Sequence, residues 1–494
     1  MHTRTKISVI GAGIGGLTAA ALLAKRGYEV SVYEQAAIAG GCASSFQRRG
    51  FWFDVGATQV AGLEPGGIHH QIFTELGVDL PAATLCDPAC AVFLPGESQP
   101  ISVWHDPIAW QQERQRQFPG SEPFWQFMQE LFAPSWRFHQ RFPVLPPRSW
   151  GDLIQLIKAL RPDTLTTMPY TFATVGDALR GFGLAGDRRL RTFLDLQLKL
   201  YSQVNAAETA LLYGATALAV SQAPLGLYHL QGRMQTLTDA LLAALAKYGG
   251  KIYYRHLVQQ LDPAIAPKVA HRLQITDLRT QASFCQTTDQ VIANVPLQNL
   301  HELLGKSSPY GDRLAKLPPP SVAFVVYLGV DQAAIPTGCP PHLQFLEADG
   351  GRSLFVSVSK PGDGRAPAGQ ATITASEFTE TSKWANCPNY GELKQQETQR
   401  AIAQLGKYFD LENHIRHQEA GTPQTFARYT ARAGGQVGGL GMRVGTFGPF
   451  GIPNRTPIPR VWLVGDCTHP GEGTAGVSYG ALTVVGQIVR QAQG

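Results

Sequence analysis

The first 34 residues contain a strand, a glycine loop, a helix and a second strand that ends in an acid. Lys6 to Ile10 has the pattern of a buried strand, and Gly15 to Arg26 is an Ala- and Leu-rich helix that ends at Gly27. Tyr28 to Glu34 follows as a second strand. Parallel strands joined by a helix need cover on both faces. The segment therefore predicts an α/β fold of the Rossmann type.

The loop between the strand and the helix follows the pattern G-x-G-x-x-G over Gly11, Ala12, Gly13, Ile14, Gly15 and Gly16. Its glycines permit a tight turn, let a pyrophosphate approach the backbone and let the helix pack on the strand. The helix N-terminus adds free N–H groups and partial positive charge. Glu34, 18 residues after Gly16, can accept hydrogen bonds from an adenosine ribose. These features predict a dinucleotide site, but the loop alone does not distinguish FAD from NAD.

Composition excludes several classes of function. The chain has 494 residues, enough for two domains or for one large domain with an inserted lobe. Its net charge of +5 is too small to indicate nucleic acid as a partner. Of the 7 cysteines, only Cys86 and Cys90 lie close together, so we expect no metal site and reduced thiols.

The sequence also makes a prediction about location. Met1 to Lys6 is too short and polar for a signal peptide. No apolar run reaches the roughly 18 residues that a spanning helix needs. We therefore expect a cytoplasmic protein that is peripherally associated with a membrane.

Small residues in two further places favour a flavin. Gly40-Gly41 and Ala57-Thr58 follow the first βαβ unit, and they let a flat ring system lie against the backbone. Near the other end of the chain, a buried strand leads to Gly465-Asp466, whose carboxylate can bind a polyol hydroxyl. A last helix from Val477 to Gln491 follows. Its N-terminus at Gly476 and Val477 can face the electron-rich carbonyl edge of a flavin.

Together these segments resemble the FAD-dependent amine oxidoreductase superfamily, and more narrowly its carotenoid desaturase and isomerase branch. The resemblance rests on the glycine loop with Glu34, on Gly40-Gly41, on Gly50 to Gly56 and on Gly465 to Gly473, which contains a His-Pro-Gly run. Gly445 to Pro449 resembles the isomerase-like subgroup and the bacterial and cyanobacterial C-3′,4′ desaturases. Two positions depart from the superfamily pattern: Gln231-Gly232-Arg233 replaces a paired glycine, and Ala39 replaces an arginine common in amine oxidases.

The resemblance implies FAD as the cofactor and a two-domain fold. Residues 1–75, 225–300 and 440–494 would form a discontinuous FAD-binding domain, in which the backbone of Val258 contacts the adenine. Residues 76–224 and 301–439 would form an α+β substrate-binding domain with membrane-associated helices. The implied partners are a hydrophobic polyene, a membrane surface, and quinone or oxygen as electron acceptor.

The implied activity is desaturation of a carotene by hydride transfer to the flavin, followed by proton transfer to a base. Glu472, in the loop expected to face the ring, is the first candidate for the base, and His469 is the second. Glu472 could equally be a solvated or helix-capping acid, and His469 a packing residue.

Three other functions stay open on the sequence. One is carotenoid cis–trans isomerisation with reduced FAD. A second is amine or protoporphyrinogen oxidation, against which the lack of lysine in residues 411–494 counts. The third is a non-catalytic, prenyl-binding protein of the GDP-dissociation-inhibitor type, which the intact glycine loop with Glu34 and Asp466 disfavours.

An aromatic-rich stretch over residues 104–150, with a Pro- and Leu-rich stretch over 143–184, indicates a separate lobe. A polyene site must be apolar and open where lipid can deliver its ligand. The aromatic side chains therefore either fill the core of this lobe or dip into a membrane face.

Overall fold

The computed structural model describes residues 4–266, 268–305, 308–348, 351–385 and 387–493. The strands, in chain order, are β1 Lys6–Ile10, β2 Glu29–Glu34, β3 Ser45–Arg48, β4 Phe51–Asp54, β5 Val60–Ala61, β6 Ala83–Leu85, β7 Cys90–Phe93, β8 Ile101–Val103, β9 Leu227–Leu230, β10 Lys251–Tyr254, β11 His256–Asp262, β12 His271–Asp277, β13 Ser283–Thr288, β14 Gln290–Ala293, β15 Val322–Asp331, β16 His342–Leu346, β17 Ser353–Val358, β18 Gln370–Thr379, β19 Ile415–Gly421 and β20 Val461–Leu463.

The helices are α1 Ile14–Lys25, α2 Ile68–Leu76, α3 Pro107–Gln117, α4 Glu122–His139, α5 Trp150–Ala159, α6 Pro162–Leu165, α7 Val175–Gly181, α8 Arg188–Ser202, α9 Leu211–Ala219, α10 Gln235–Lys247, α11 Leu297–Leu304, α12 Pro309–Ala315, α13 Thr381–Trp384, α14 Tyr390–Leu405, α15 Pro423–Thr430 and α16 Gly473–Gln493.

A parallel sheet with the strand order β10-β2-β1-β14-β20 carries the glycine loop. Each neighbouring pair in it is parallel, with β1 between β2 and β14. The chain continues from β1 to β2 on one side of β1, and β14 later pairs on the other side. At such a point the connections diverge, so a crevice opens at the carboxyl end of β1. This arrangement confirms the predicted α/β fold. The five strands fall within the three segments expected to form the FAD-binding domain, whose exact boundaries stay a prediction.

Helix α1 packs between the sheet, α10 and α16. Its central alanines, Ala19 to Ala21, are fully buried together with Leu17 and Leu22. Small side chains let the neighbouring helices approach closely, which fixes the N-terminus of α1 against the start of α16. A Cβ atom on Gly15 would lie 2.7 Å from a methyl group of Val464.

A second sheet with the order β19-β15-β18-β17-β16-β7-β8 lies beside a group of helices that includes α3, α4, α8 and α9. Its pairs are antiparallel except β16 with β7. Strand β15 is buried along nearly its whole length, because side chains on both of its faces are covered. This sheet and these helices provide the apolar wall of the cavity described below.

In the aromatic-rich stretch over residues 104–150, some side chains are buried in a core and others are exposed. Trp110, Phe118, Phe124 and Trp125 are buried and pack with the helices around α8, so these rings fill a core rather than face a membrane. Apart from Ile108, the large apolar side chains that are exposed in this region lie from Trp150 onward. Over the described ranges, no helix combines the length and apolar character needed to cross a membrane.

Candidate functional site

The glycine loop is shaped by close backbone contacts. Gly11 has a φ of 93°, and a Cβ atom there would lie 2.6 Å from the carbonyl oxygen of Asn294 at the end of β14. A Cβ atom on Gly16 would lie 2.3 Å from the carbonyl oxygen of Gly11. Larger residues are therefore excluded at both ends of the loop. Gly13 caps α1 in an extended conformation without a side-chain hydrogen bond, and the first turn carries no acid. Its N–H groups can therefore bind a phosphate.

Glu34 is held directly against this loop. Its Oε2 accepts a hydrogen bond from the N–H of Ala12 at 2.8 Å, and its Oε1 accepts one from the N–H of Ala36 at 2.8 Å. Burial raises the pKa of the carboxyl group, while these backbone hydrogen bonds oppose the shift. Each carboxyl oxygen has a second lone pair, so Glu34 can still accept from ribose hydroxyls while it fixes the loop.

A cavity of about 1360 Å³ extends from this loop into the second half of the molecule. Most of the predicted cofactor residues line it: Gly11, Gly13, Ile14, Gly15, Glu34, Gly40, Gly41, Ala57, Thr58, Val258, Gly465, Asp466, Gly476 and Val477. Ala12 and Gly16 are not in the wall, because Ala12 bonds to Glu34 and Gly16 packs on Gly11. The structure therefore gathers residues from both ends of the chain around one space.

The start of the last helix differs from the prediction. Helix α16 begins at Gly473, not at Val477. Gly476 and Val477 therefore lie within the helix, where they still line the cavity. A Cβ atom on Gly476 would lie 2.7 Å from the carbonyl oxygen of Gly471. This close approach excludes a side chain at position 476, and the segment is helical although the intrinsic helix propensity of glycine is low.

The two candidate proton-transfer residues occupy different environments. Glu472 lines the cavity, whereas His469 is not part of its wall. The His469 ring is buried and stacks on His139, with ring centroids 5.2 Å apart. Both of its nitrogens lack hydrogen-bond partners within the described chain. Burial lowers its pKa well below the usual value, and His139 adds to the shift. The geometry therefore suits His469 to packing and leaves Glu472 as the acid at the cavity.

Glu472 accepts hydrogen bonds from two donors of the protein. Its Oε2 accepts from the Nε2 of Gln203, which follows α8, and from the N–H of Gly439 at 3.3 Å. Burial raises its pKa to about 8; the hydrogen bond from Gln203 opposes this shift, and the charge of Asp466 adds to it. A carboxyl group with such a pKa can exchange protons near neutral pH.

Arg432 is a site residue that the sequence did not reveal. It follows α15, lines the cavity and donates from Nη2 to Oδ2 of Asp466 at 2.7 Å. Burial works against its charge, but the Asp466 carboxylate overcomes this effect, and the pKa of Arg432 is raised. A permanent positive charge thus sits beside the aspartate expected to bind the cofactor. No local motif marks this arginine, because the contact joins segments 34 residues apart.

Another part of the cavity wall is apolar and aromatic. Its members include Leu200, Tyr201, Tyr213, Ala217, Val220, Leu225, Leu227, Val325, Tyr327, Phe355 and Phe378. The Tyr213 hydroxyl donates to the carbonyl of Tyr201 at 2.5 Å, and that of Tyr327 donates to the carbonyl of Val55 at 2.9 Å. These hydroxyls bond to the backbone, so the rings offer hydrocarbon surface to a ligand. The wall suits an elongated apolar molecule.

Comparison with known proteins finds a Rossmann-like domain and relatives among carotenoid enzymes. A family model described as an NAD(P)-binding Rossmann-like domain matches residues 9–76. Prolycopene isomerase 1 from an Oncidium hybrid cultivar is 27% identical, over 96% of this chain and 82% of its own length. A 4,4′-diapophytoene desaturase from Methylomonas is 24% identical, over 99% of this chain and 96% of its own length. Over nearly its whole length the chain is thus similar to enzymes of the carotenoid desaturase and isomerase family. It is therefore an enzyme of the oxidoreductase class, as the sequence predicted.

Solved structures of other oxidoreductases share the fold of this chain. Cyclohexylamine oxidase from Brevibacterium oxydans matches 99% of the chain and all of its own length, with a TM-score of 0.64 and 15% identity. An oxidoreductase from Methanosarcina mazei covers 98% of the chain, with a TM-score of 0.63 and 18% identity. At these identities the likeness supports the α/β architecture, which the sheet order already indicates.

Proposed function

We propose that this protein binds FAD and uses it to desaturate a polyene hydrocarbon of the carotenoid class. The observation that carries the proposal is that one cavity is lined by the glycine loop with Glu34, by Glu472 and by an apolar, aromatic wall. One dinucleotide and one elongated hydrocarbon would share this space, and the reacting carbons would lie between them.

The residues present fit FAD. The uncapped N-terminus of α1 would hold the pyrophosphate, Glu34 the ribose, and Asp466 a hydroxyl of the ribityl chain. Gly40 and Gly465 have φ values of 117° and 135°, so glycine backbone without side chains faces the ring position. When bound, FAD supplies a two-electron acceptor for the hydride that leaves the substrate.

The protein's own residues would orient the substrate and move the proton. The aromatic wall would bind the polyene and exclude water. Glu472 would accept the proton from the carbon next to the oxidised one, and its burial supplies the proton affinity that this step needs. Quinone or oxygen would then reoxidise the flavin, in a step in which these residues take no part.

Isomerisation of a polyene is a second candidate function. Prolycopene isomerases match this chain over 96% of its length, at an identity similar to that of the desaturases. Isomerisation would use the same cavity and the same cofactor without net oxidation. The proximity of Glu472 to an apolar wall is compatible with either reaction.

Expression of the chain in bacteria that accumulate lycopene or a monocyclic carotene tests this proposal. Desaturation lengthens the conjugated system, so the pigment spectrum should shift to the red as two hydrogens are lost. A changed cis/trans ratio at constant mass would replace desaturation by isomerisation. Unchanged pigments with several polyenes, from protein that is folded and yellow, would overturn the proposed substrate class.

An exposed apolar patch supports peripheral attachment to a membrane. Its members are Trp150, Ile154, Ile157, Leu165, Met168 and Phe172, on and around α5 and α6. Trp150 is 81% exposed and Phe172 71%. Such a cluster is uncommon on a surface that faces only water. We infer that this apolar patch inserts into the interfacial layer of a bilayer.

Charges and connections around the apolar patch favour an anionic membrane. Arg148, Lys158 and Arg161 are exposed beside it, while the neighbouring acid Asp163 is already paired with Arg137 at 2.8 Å. The local charge available to lipid headgroups is therefore positive. Phe172 also contacts Phe450, with ring centroids 5.6 Å apart. Phe447, three residues earlier, lines the cavity, so a polyene leaving the bilayer would meet the enzyme close to its site.

A further inference from the structure

Gln203 connects three distant segments at the cavity wall. It follows α8 with a φ of 62°, a left-handed conformation that is uncommon for a residue with a side chain. Its Oε1 accepts from the N–H of Ser321 at 3.1 Å, and its Nε2 donates to the carbonyl of Val437 at 3.3 Å and to Oε2 of Glu472. The amide is thus fixed from both ends, and its orientation is set before any ligand binds.

The backbone beside Glu472 leaves no room for a side chain at position 438. A Cβ atom on Gly438 would lie 1.8 Å from Nε2 of Gln203 and 2.1 Å from Oε2 of Glu472. The next residue, Gly439, donates its N–H to the same oxygen. Both donors therefore bind Oε2, whereas Oε1 of Glu472 has no hydrogen-bond partner among the residues that the structure describes.

The charged neighbours of Glu472 do not neutralise it. Arg432 is occupied by Asp466 and by the carbonyls of Gln436 and Gly438. Tyr213 from α9 faces the carboxyl group as a neutral phenol, and Asp466 adds a like charge. No Lys, Arg or His within the described ranges forms an ion pair with Glu472. Its ionised form consequently depends on the two N–H donors at Oε2 and, to a smaller extent, on the nearby charge of Arg432.

We propose that Gln203 is a positioning residue of the proton-transfer step: it holds Oε2 of Glu472 and so directs the unbonded Oε1 toward the polyene as the proton acceptor. This role rests on the proposed function. The C–H bond on the carbon adjacent to the oxidised one breaks, and its electron pair forms the new C=C bond. The proton forms an O–H bond with Oε1, while the hydride from the first carbon goes to the flavin. The substrate thus loses two electrons and two hydrogens in all.

Removing the amide should make the carboxylate harder to form. Burial raises the pKa of Glu472 to about 8, and the hydrogen bond from Gln203 lowers it relative to burial alone. In Gln203→Met this hydrogen bond is lost, so the pKa should rise by roughly one further pH unit. A base acts in its ionised form, so turnover should increase with pH through the pKa of Glu472. In the variant this increase should begin at higher pH, and turnover at neutral pH should fall about tenfold.

The experiment combines an infrared titration with turnover of a polyene supplied in vesicles. The C=O stretch of the protonated Glu472 carboxyl, identified by its absence in Glu472→Gln, reports the pKa without any substrate. Gln203→Asn keeps an amide that is one methylene too short to reach Glu472, and it should shift the titration in the same direction if Gln203→Met folds poorly. The matched control is Gln197→Met on α8, the helix that Gln203 follows. It removes a buried hydrogen bond to Gln344 of β16, and Gln197 is not part of the cavity wall.

The outcomes separate this inference from the proposed function. An upward shift of both the infrared titration and the pH dependence of turnover, absent in Gln197→Met, supports the role of Gln203. Unshifted titration in both Gln203 variants, or turnover that falls as pH rises through the pKa, overturns it while leaving desaturation intact. A wild-type protein that is yellow but transforms no polyene overturns the proposed function and this role with it.

Discussion

Arg432 donates from Nη2 to Oδ2 of Asp466 at 2.7 Å, and both side chains lie in the wall of the cavity between the glycine loop and α16. Two further donations from the guanidinium, to the carbonyls of Gln436 and Gly438, fix the loop that passes Glu472. One arginine thus links the aspartate expected to bind the ribityl chain with the segment that holds the candidate base.

Arg432→Met should weaken both the fold and cofactor binding. The variant leaves the Asp466 carboxylate without its cation, and breaking a largely buried pair costs roughly 3 kcal/mol. We expect a lower melting temperature and less flavin per protein after purification, measured by thermal unfolding and by absorbance. The control is Arg443→Met, which breaks an exposed pair with Glu208 and should change stability by less than about 1 kcal/mol. Wild-type melting and flavin content in Arg432→Met would contradict this prediction.

The first βαβ unit could be predicted from the sequence because its signals are local. The apolar residues of β1 and β2, which are buried in the sheet, and the glycine pattern between the two strands can be recognised without knowledge of the rest of the chain. The contacts of Arg432 and Gln203 could not be predicted in this way. Each joins segments separated by tens to hundreds of residues, and neither lies in a recognisable motif.

The start of α16 shows where local propensity misleads. Gly473 and Gly476 are weak helix formers, so the sequence places the boundary at Val477. The close approach of Gly476 to the carbonyl of Gly471 requires a residue without a side chain, and the helix extends through it. Glycine at position 476 therefore lowers the helix propensity of the sequence, but it is required there by packing.

Glu34→Arg should abolish flavin binding. The change removes the acceptors for the N–H groups of Ala12 and Ala36 and places a bulky cation where the ribose is expected. Hydrogen bonds to a charged group contribute about 1.5–3 kcal/mol each, so affinity should fall more than tenfold. Titration of apoprotein with FAD measures the effect. Glu29→Arg, at the exposed start of the same strand, should bind FAD as the wild type does. A yellow Glu34→Arg protein would exclude the ribose assignment.

Trp150→Ser combined with Ile157→Ser should reduce binding to anionic vesicles. Burial of each large apolar side chain contributes about 1.5–3 kcal/mol, so the partition coefficient should fall at least tenfold. Co-sedimentation with vesicles that contain anionic or only neutral lipid measures it, and the wild type should prefer the anionic ones. Ile108→Ser removes an equally exposed side chain outside the apolar patch and serves as the control. Equal sedimentation of all three proteins would show that another surface meets the membrane.

His69 should make the protein less stable in mild acid. It is buried near the start of α2, and its Nε2 has no hydrogen-bond partner in the described part of the chain. Burial lowers its pKa from 6.5 to about 4. The unfolded chain therefore binds a proton at a higher pH than the folded chain does, and stability is lost as pH falls from 6.5 toward 4.

Between about pH 7 and about pH 5 this single histidine should lower the free energy of unfolding by about 2 kcal/mol. Urea unfolding at the two pH values measures the loss, and His69→Leu should show a loss smaller by that amount because leucine does not titrate. Thr74→Leu, an exposed change on the same helix, should keep the full wild-type loss. If His69→Leu loses as much stability in acid as the wild type, the acid sensitivity arises from other groups, such as His271, whose burial also lowers its pKa to about 4.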